Sequence, residues 1–166
     1  ARAPFFTDQD EKRLLYELSQ MSNKNHLRLT KLALATGFHR SELLNLTWRN
    51  IDLEKNKIYV QRKECAARRS TSSLRIVPLP NQAKDLLRSF KNKEGKIINI
   101  TEGSARNGFD KAKNKADLHN LRFHDLRHIA ISRMWSYGMN ALEISACSGH
   151  RDLKILMRYS HYELSY

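Results

Sequence analysis

Acidic residues are in short supply. The 166-residue chain sets 17 aspartates and glutamates against 30 lysines and arginines, a formal charge of +13 at neutral pH. A balance that positive points to a polyanionic partner, either nucleic acid or an anionic membrane surface. Cysteine is almost missing. Cys65 and Cys147 lie far outside Cys-x-x-Cys spacing, which excludes a zinc site built on such a thiolate pair. With no recognisable secretory signal, they read as free thiols of a reducing compartment, and Cys147 reads as a core residue. Long hydrophobic runs are also absent, and none approaches the length of a membrane-spanning helix. The basic residues are spread along the chain rather than gathered on one amphipathic helix, which favours nucleic acid over a membrane surface. There are no internal repeats and no low-complexity segments. The 40% of hydrophobic residues excludes a disordered tail, and the length suits one compact domain with a sizeable core.

What is present is mostly helical periodicity. Thr7 has the character of an N-cap, with Asp8, Asp10 and Glu11 at the positive end of a helix that carries Leu14, Leu15 and Leu18. A second helix is expected from His26 to Thr36, closed by Gly37, and a short third from Ser41 to Leu46. The stretch IDLEKNKIYV reads as two strands around a turn, and LRIVPL as a third strand ended by Pro78 and Pro80. Further helices are expected over 81–90, 104–116, 124–137 and 140–147. The helix over 124–137 has an inward stripe of Leu126, Ile129, Ala130, Met134 and Tyr137. A last short helix begins near Asp152 and carries Tyr159. The fold class is therefore α+β, a mostly helical domain with a small three-stranded antiparallel sheet.

Three segments carry chemistry. His124 and Arg127 stand at i and i+3, on neighbouring ridges of one helix face. Gly149-His150 is followed, nine residues past the histidine, by Tyr159. Upstream lies Thr36-Gly37-Phe38-His39-Arg40-Ser41-Glu42. A phenol can act as a nucleophile and become covalently phosphorylated. A guanidinium can grip two phosphate oxygens with its planar fork. Imidazoles can donate hydrogen bonds to phosphate or move protons. Taken singly, each of these residues is more often structural: a tyrosine near a helix end is usually a surface residue, and a histidine beside glycine often caps a helix.

Together and in this order, the three segments resemble the signature boxes of tyrosine recombinases of the phage-integrase type, and the resemblance spans nearly the whole chain. It implies a site-specific DNA recombinase that needs neither cofactor nor ATP. In such enzymes Tyr159 would form a 3′-phosphotyrosyl link and free a 5′-hydroxyl, with Arg127, His124 and His150 around the scissile phosphate. It also implies double-stranded DNA as the partner, a synaptic tetramer on DNA with the isolated domain a monomer, and work in the cytoplasm of a bacterium or phage-infected host. An upstream DNA-clamping domain is expected to lie outside this sequence.

One position departs from the family pattern. His39 stands where the family has its first catalytic arginine, and Arg40 follows it. An imidazole lacks the bidentate fork of a guanidinium, and losing one preorganised donor costs about a hundredfold to a thousandfold in rate. On a helix Arg40 would point roughly 100° away from His39. Weak or absent cleavage is therefore expected, and a decayed integrase that binds DNA without efficient cutting is the competing reading. A type IB topoisomerase shares the tyrosine chemistry, but the box spacing favours a recombinase. The family's catalytic lysine falls in the loop before the third strand, where Lys63 is the lysine and Arg68 and Arg69 lie nearer the strand. Arg68, Arg69, Arg75 and Arg122 are expected to contact DNA, with phosphate contacts that make binding salt-dependent. Glu42 is expected to orient its neighbours. His124 and His128 have the i, i+4 spacing of a zinc pair, but Asp125 follows the first histidine where a zinc protease has Glu, and no metal is expected. His26 and His161 read as surface residues.

Overall fold

A computed structural model describes residues 6–61, 74–150 and 152–158. The elements run α1 (Asp8–Ser19), α2 (Asn25–Thr36), α3 (Arg40–Asn45), a 3₁₀ turn (Trp48–Asn50), β1 (Ile51–Asp52), β2 (Lys57–Gln61), β3 (Leu74–Pro78), α4 (Asn81–Arg88), α5 (Glu102–Lys115), α6 (Asp125–Ser136), α7 (Ala141–Ser148) and α8 (Leu153–Met157). The sheet is antiparallel in the order β1-β2-β3, with Ile58 opposite Val77 and Val60 opposite Arg75. Among the described residues no helix is long and apolar enough to cross a membrane.

Local chemistry explains the boundaries. Thr7 caps α1 reciprocally: its side chain accepts from the Asp10 N–H at 3.1 Å, and the Asp10 carboxylate accepts from the Thr7 N–H at 2.9 Å. Gly37 closes α2 in the left-handed conformation, φ +72°, its N–H donating to the Ala33 carbonyl. Gly149 closes α7 in the same way, φ +78°, through the Ser145 carbonyl. Both turns deliver the chain directly into a site segment.

Helix α6 lies at the centre. It buries residues around most of its circumference, including Leu126, Arg127, Ile129, Ile131, Met134 and Trp135, as a helix enclosed by neighbours must. It packs on α2 and α7, while α1 packs on α5 and α2. The core joins Leu14 and Leu18 of α1, Leu29 and Leu32 of α2, Ile58 and Val77 of the sheet, and Ile144 and Leu156 near the C-terminal end.

Two expectations need correction. Tyr137 is not on the inward stripe of α6. It is the C-cap, past the last helical turn, and is 75% exposed. Trp135 takes the inward place, its indole N–H donating to the Leu156 carbonyl at 3.1 Å. Helix α8 is described over Leu153–Met157, and the expectation that it carries Tyr159 lies outside the described residues. His26 is not a surface residue either. It is 7% exposed and its ring lies against Gly108 of α5, where a Cβ would stand 3.0 Å or less from the ring carbons. Cys147 is buried as a free thiol, as expected, and burial raises its pKa.

The fit between His26 and Gly108 is testable. Gly108→Ala is expected to cost about 1–3 kcal/mol by overpacking, a fall in melting temperature of roughly 3–10 °C for a domain of this size. Adding His26→Ala should recover part of the loss. A melt of Gly108→Ala that coincides with that of the parent chain rules the fit out.

Candidate active site

The site forms where three chain reversals meet α6. Arg127, one turn into α6, is 6% exposed. Its Nη1 donates to the Gly37 carbonyl at 2.7 Å, and its Nη2 lies 3.2 Å from His150 Nδ1 and 3.4 Å from Nε2. The left-handed Gly37 turn thus aims a carbonyl at the guanidinium, and the left-handed Gly149 turn brings His150 onto its other nitrogen. Ser148 completes the second contact, its Oγ 2.8 Å from His150 Nδ1.

His124 sits just before α6. Its ring stacks on His39 with centroids 5.7 Å apart and planes 20° from parallel. It meets the His128 ring edge-on at 4.9 Å. Histidines 39, 124, 128 and 150 therefore gather around one arginine. Burial, reinforced by the Arg127 charge, lowers the pKa of His124, and burial with the neighbouring His124 lowers that of His128. Burial, then Arg127, drives His150 furthest, down to about 4. In all three rings the neutral form is favoured, which leaves each with one donor and one acceptor nitrogen. Among the described residues no group of three histidine, cysteine or acidic side chains is arranged to hold a metal ion.

Glu42 orients its neighbours. One carboxylate oxygen accepts from the His39 N–H at 3.4 Å, at the start of α3, and the other pairs with Arg75 Nη2 at 2.9 Å. Arg40 turns the other way: it pairs with Glu102 at 3.4 Å, its guanidinium 5.5 Å from the centre of the Phe123 ring. The structure brings His39, not Arg40, to His124. Of the residues expected on DNA, Arg122 is exposed beside His124 and pairs with buried Asp125 at 3.3 Å. Arg75 faces inward and is 8% exposed. Tyr159, Lys63, Arg68, Arg69 and His161 lie outside the described residues.

Sequence reasoning did not single out Ser148, Arg75 as a buried partner, or His128 as part of the cluster. Ser148 could have been found, since a serine hydroxyl in a turn commonly accepts from the backbone N–H two residues on, as it does from the His150 N–H at 3.4 Å. Arg75 carried no such signal.

The phage integrase family matches the chain over residues 4–165, and the chain belongs to that family. Within it, the chain is 35% identical over 132 residues to the shufflon-specific DNA recombinase of Escherichia coli, covering 78% of this chain and 33% of that protein. The fold superposes on the catalytic domain of bacteriophage HP1 integrase with a TM-score of 0.77 at 27% identity, covering 99% of this chain and 91% of that domain. It also superposes on XerH recombinase bound to a palindromic difH substrate, with a TM-score of 0.74 at 20% identity and coverage of 98% and 51%. The chain spans about a third to a half of the length of the curated relatives it matches.

His150 links the site to stability. Its folded pKa, about 4, lies below the ordinary 6.5. Its contribution is therefore complete above pH 6.5 and is lost as the pH falls toward 4, because the unfolded chain then binds the extra proton. Allowing for screening, the loss is on the order of 2 kcal/mol. Urea unfolding at pH 7, 5.5 and 4 should show a shallower acid decline in His150→Asn than in the parent. Parallel declines would mean that His150 is not held neutral by the fold.

Proposed function

We propose that this chain is the catalytic domain of a site-specific DNA recombinase that cleaves and rejoins strands through a covalent 3′-phosphotyrosyl intermediate on Tyr159. The observation that carries the reading is the convergence of Arg127, His150 and His124 at the N-terminal end of α6, with Tyr159 nine residues past His150 in the sequence. Arg127, rigidly held by the Gly37 carbonyl, is the anion grip. Neutral His150 and His124 donate to, or exchange protons with, the non-bridging and leaving oxygens. The phenol of Tyr159 attacks phosphorus and displaces a 5′-hydroxyl. Attack by another strand's 5′-hydroxyl reverses the step and restores the tyrosine, so the bond is conserved. Double-stranded DNA is the substrate, bound through a strongly basic surface, and the synaptic form is a tetramer built from domains that are monomeric alone. The setting is the cytoplasm of a bacterium or an infected host. No cofactor enters the step.

A second reading has its own observation. His39 occupies the first arginine position and stacks on His124, while Arg40 is committed to Glu102. The clamp then has one guanidinium, Arg127, and the domain holds DNA while cutting it slowly. A nicked suicide substrate separates the two readings, because it traps the covalent adduct. The recombinase reading expects an adduct that Tyr159→Phe abolishes, with His39→Arg raising its rate about a hundredfold or more. DNA binding with no adduct in either the parent or His39→Arg would leave only the binding module.

A further inference from the structure

We propose that Arg75 is a positioning residue of the active site: its buried ion pair with Glu42, pressed against Gly149, holds the Gly149-His150 turn in place and so keeps His150 on Arg127. The link to DNA cleavage rests on the recombinase reading above.

Three contacts define the arrangement. Arg75 Nη2 donates to Glu42 at 2.9 Å, and both side chains are more than nine-tenths buried. The guanidinium lies over the Phe38 ring, 5.2 Å from its centre, where cation and ring attract. Its other edge lies against Gly149, where any Cβ would stand 2.9 Å from Arg75 Cζ. Gly149 is therefore required twice, for its left-handed φ of +78° and for the space the guanidinium occupies. One side chain thus touches the segment before α3, the sheet and the turn that presents His150. Strand β3 packs directly on α7.

Two plainer roles fit less well. A DNA contact needs an accessible side chain, and Arg75 is 8% exposed. A purely stabilising role is weakly motivated, because replacing a buried ion pair by apolar residues is often neutral or favourable. Placement of the turn accounts for a charge where an aliphatic side chain would serve the core. Arg75 also belongs to the set facing His150, with Arg127 and His128 from α6 and His39 from the start of α3, which together with burial keep that ring neutral.

The test uses Arg75→Met/Glu42→Gln, which leaves no orphan carboxylate, and Arg75→Lys, which keeps the charge but loses the plane. Each is compared with the parent in thermal melting, DNA affinity against salt, adduct formation at saturating nicked DNA, and NMR titration of His150. Both variants are expected to bind DNA within about threefold of the parent and with the same salt slope. Adduct formation should fall about ten- to hundredfold, the range for losing an orienting partner, and the His150 titration should move. A weaker salt slope by about one would make Arg75 a phosphate contact and overturn the proposal. So would an unmoved His150 titration in a folded variant. If neither the parent nor His39→Arg forms an adduct, the recombinase reading fails, and the titration alone decides the role of Arg75. If the double variant does not fold, Arg75→Lys carries the same comparison.

Discussion

The hydrogen bond from Arg127 to the Gly37 carbonyl is the constraint around which the site is organised. It ties the buried central helix to the end of α2, so the strongest cation of the pocket cannot swing with solvent. A charge-assisted bond to a backbone carbonyl inside the protein is also a rigid one. Once Arg127 is fixed, His150 has a defined place beside it. The Gly149 turn, the Ser148 hydroxyl and the wall formed by Arg75 and Glu42 then follow as the structure that keeps the ring there. Preorganisation of this kind is what a transition state with spreading phosphate charge requires.

The histidines show how the same pocket treats similar groups differently. In His124, His128 and His150 burial disfavours the cation first, and in His150 the Arg127 guanidinium, 3.2 Å from Nδ1, comes next. Binding an anion there would reverse the balance, since a phosphate oxygen favours the protonated ring that an empty pocket disfavours. Each of these imidazoles thus resists charging as long as no anion lies beside it. His39 differs again: its side chain is 41% exposed, stacked on His124 rather than enclosed.

Much of the fold was legible from local signals. Thr7, Gly37 and Gly149 announced helix ends that the backbone confirms, and the three strands fell where alternation and proline put them. The grouping of His150 with His124 and Arg127 was expected from the resemblance to tyrosine recombinases, and spacing alone gave only the shared helix face of His124 and Arg127. Failures came where a stripe was assumed on an element buried on several sides. Tyr137 was misplaced because α6 ends before it, and Trp135 was overlooked because α6 is buried on several sides rather than along one stripe. His26 was misread because the partner that hides it, a glycine on α5, leaves no mark in the sequence near it. Arg75 was expected on DNA, and its place opposite Val60 on the inner side of the sheet leaves no mark in the strand's own sequence.

That last strand has a consequence for how the chain finds its fold. In β3 the outward residues Leu74 and Ile76 are 57% and 53% exposed, while the inward pair is Arg75 and Val77. Greasiness alone would turn the strand the other way, with both larger aliphatics inside. A slip of one residue against β2 would satisfy that preference and strand Glu42 in the interior without its cation. The buried pair of Arg75 and Glu42 thus goes with the observed alignment of β2 and β3, at the expense of leaving Leu74 and Ile76 on the outer face.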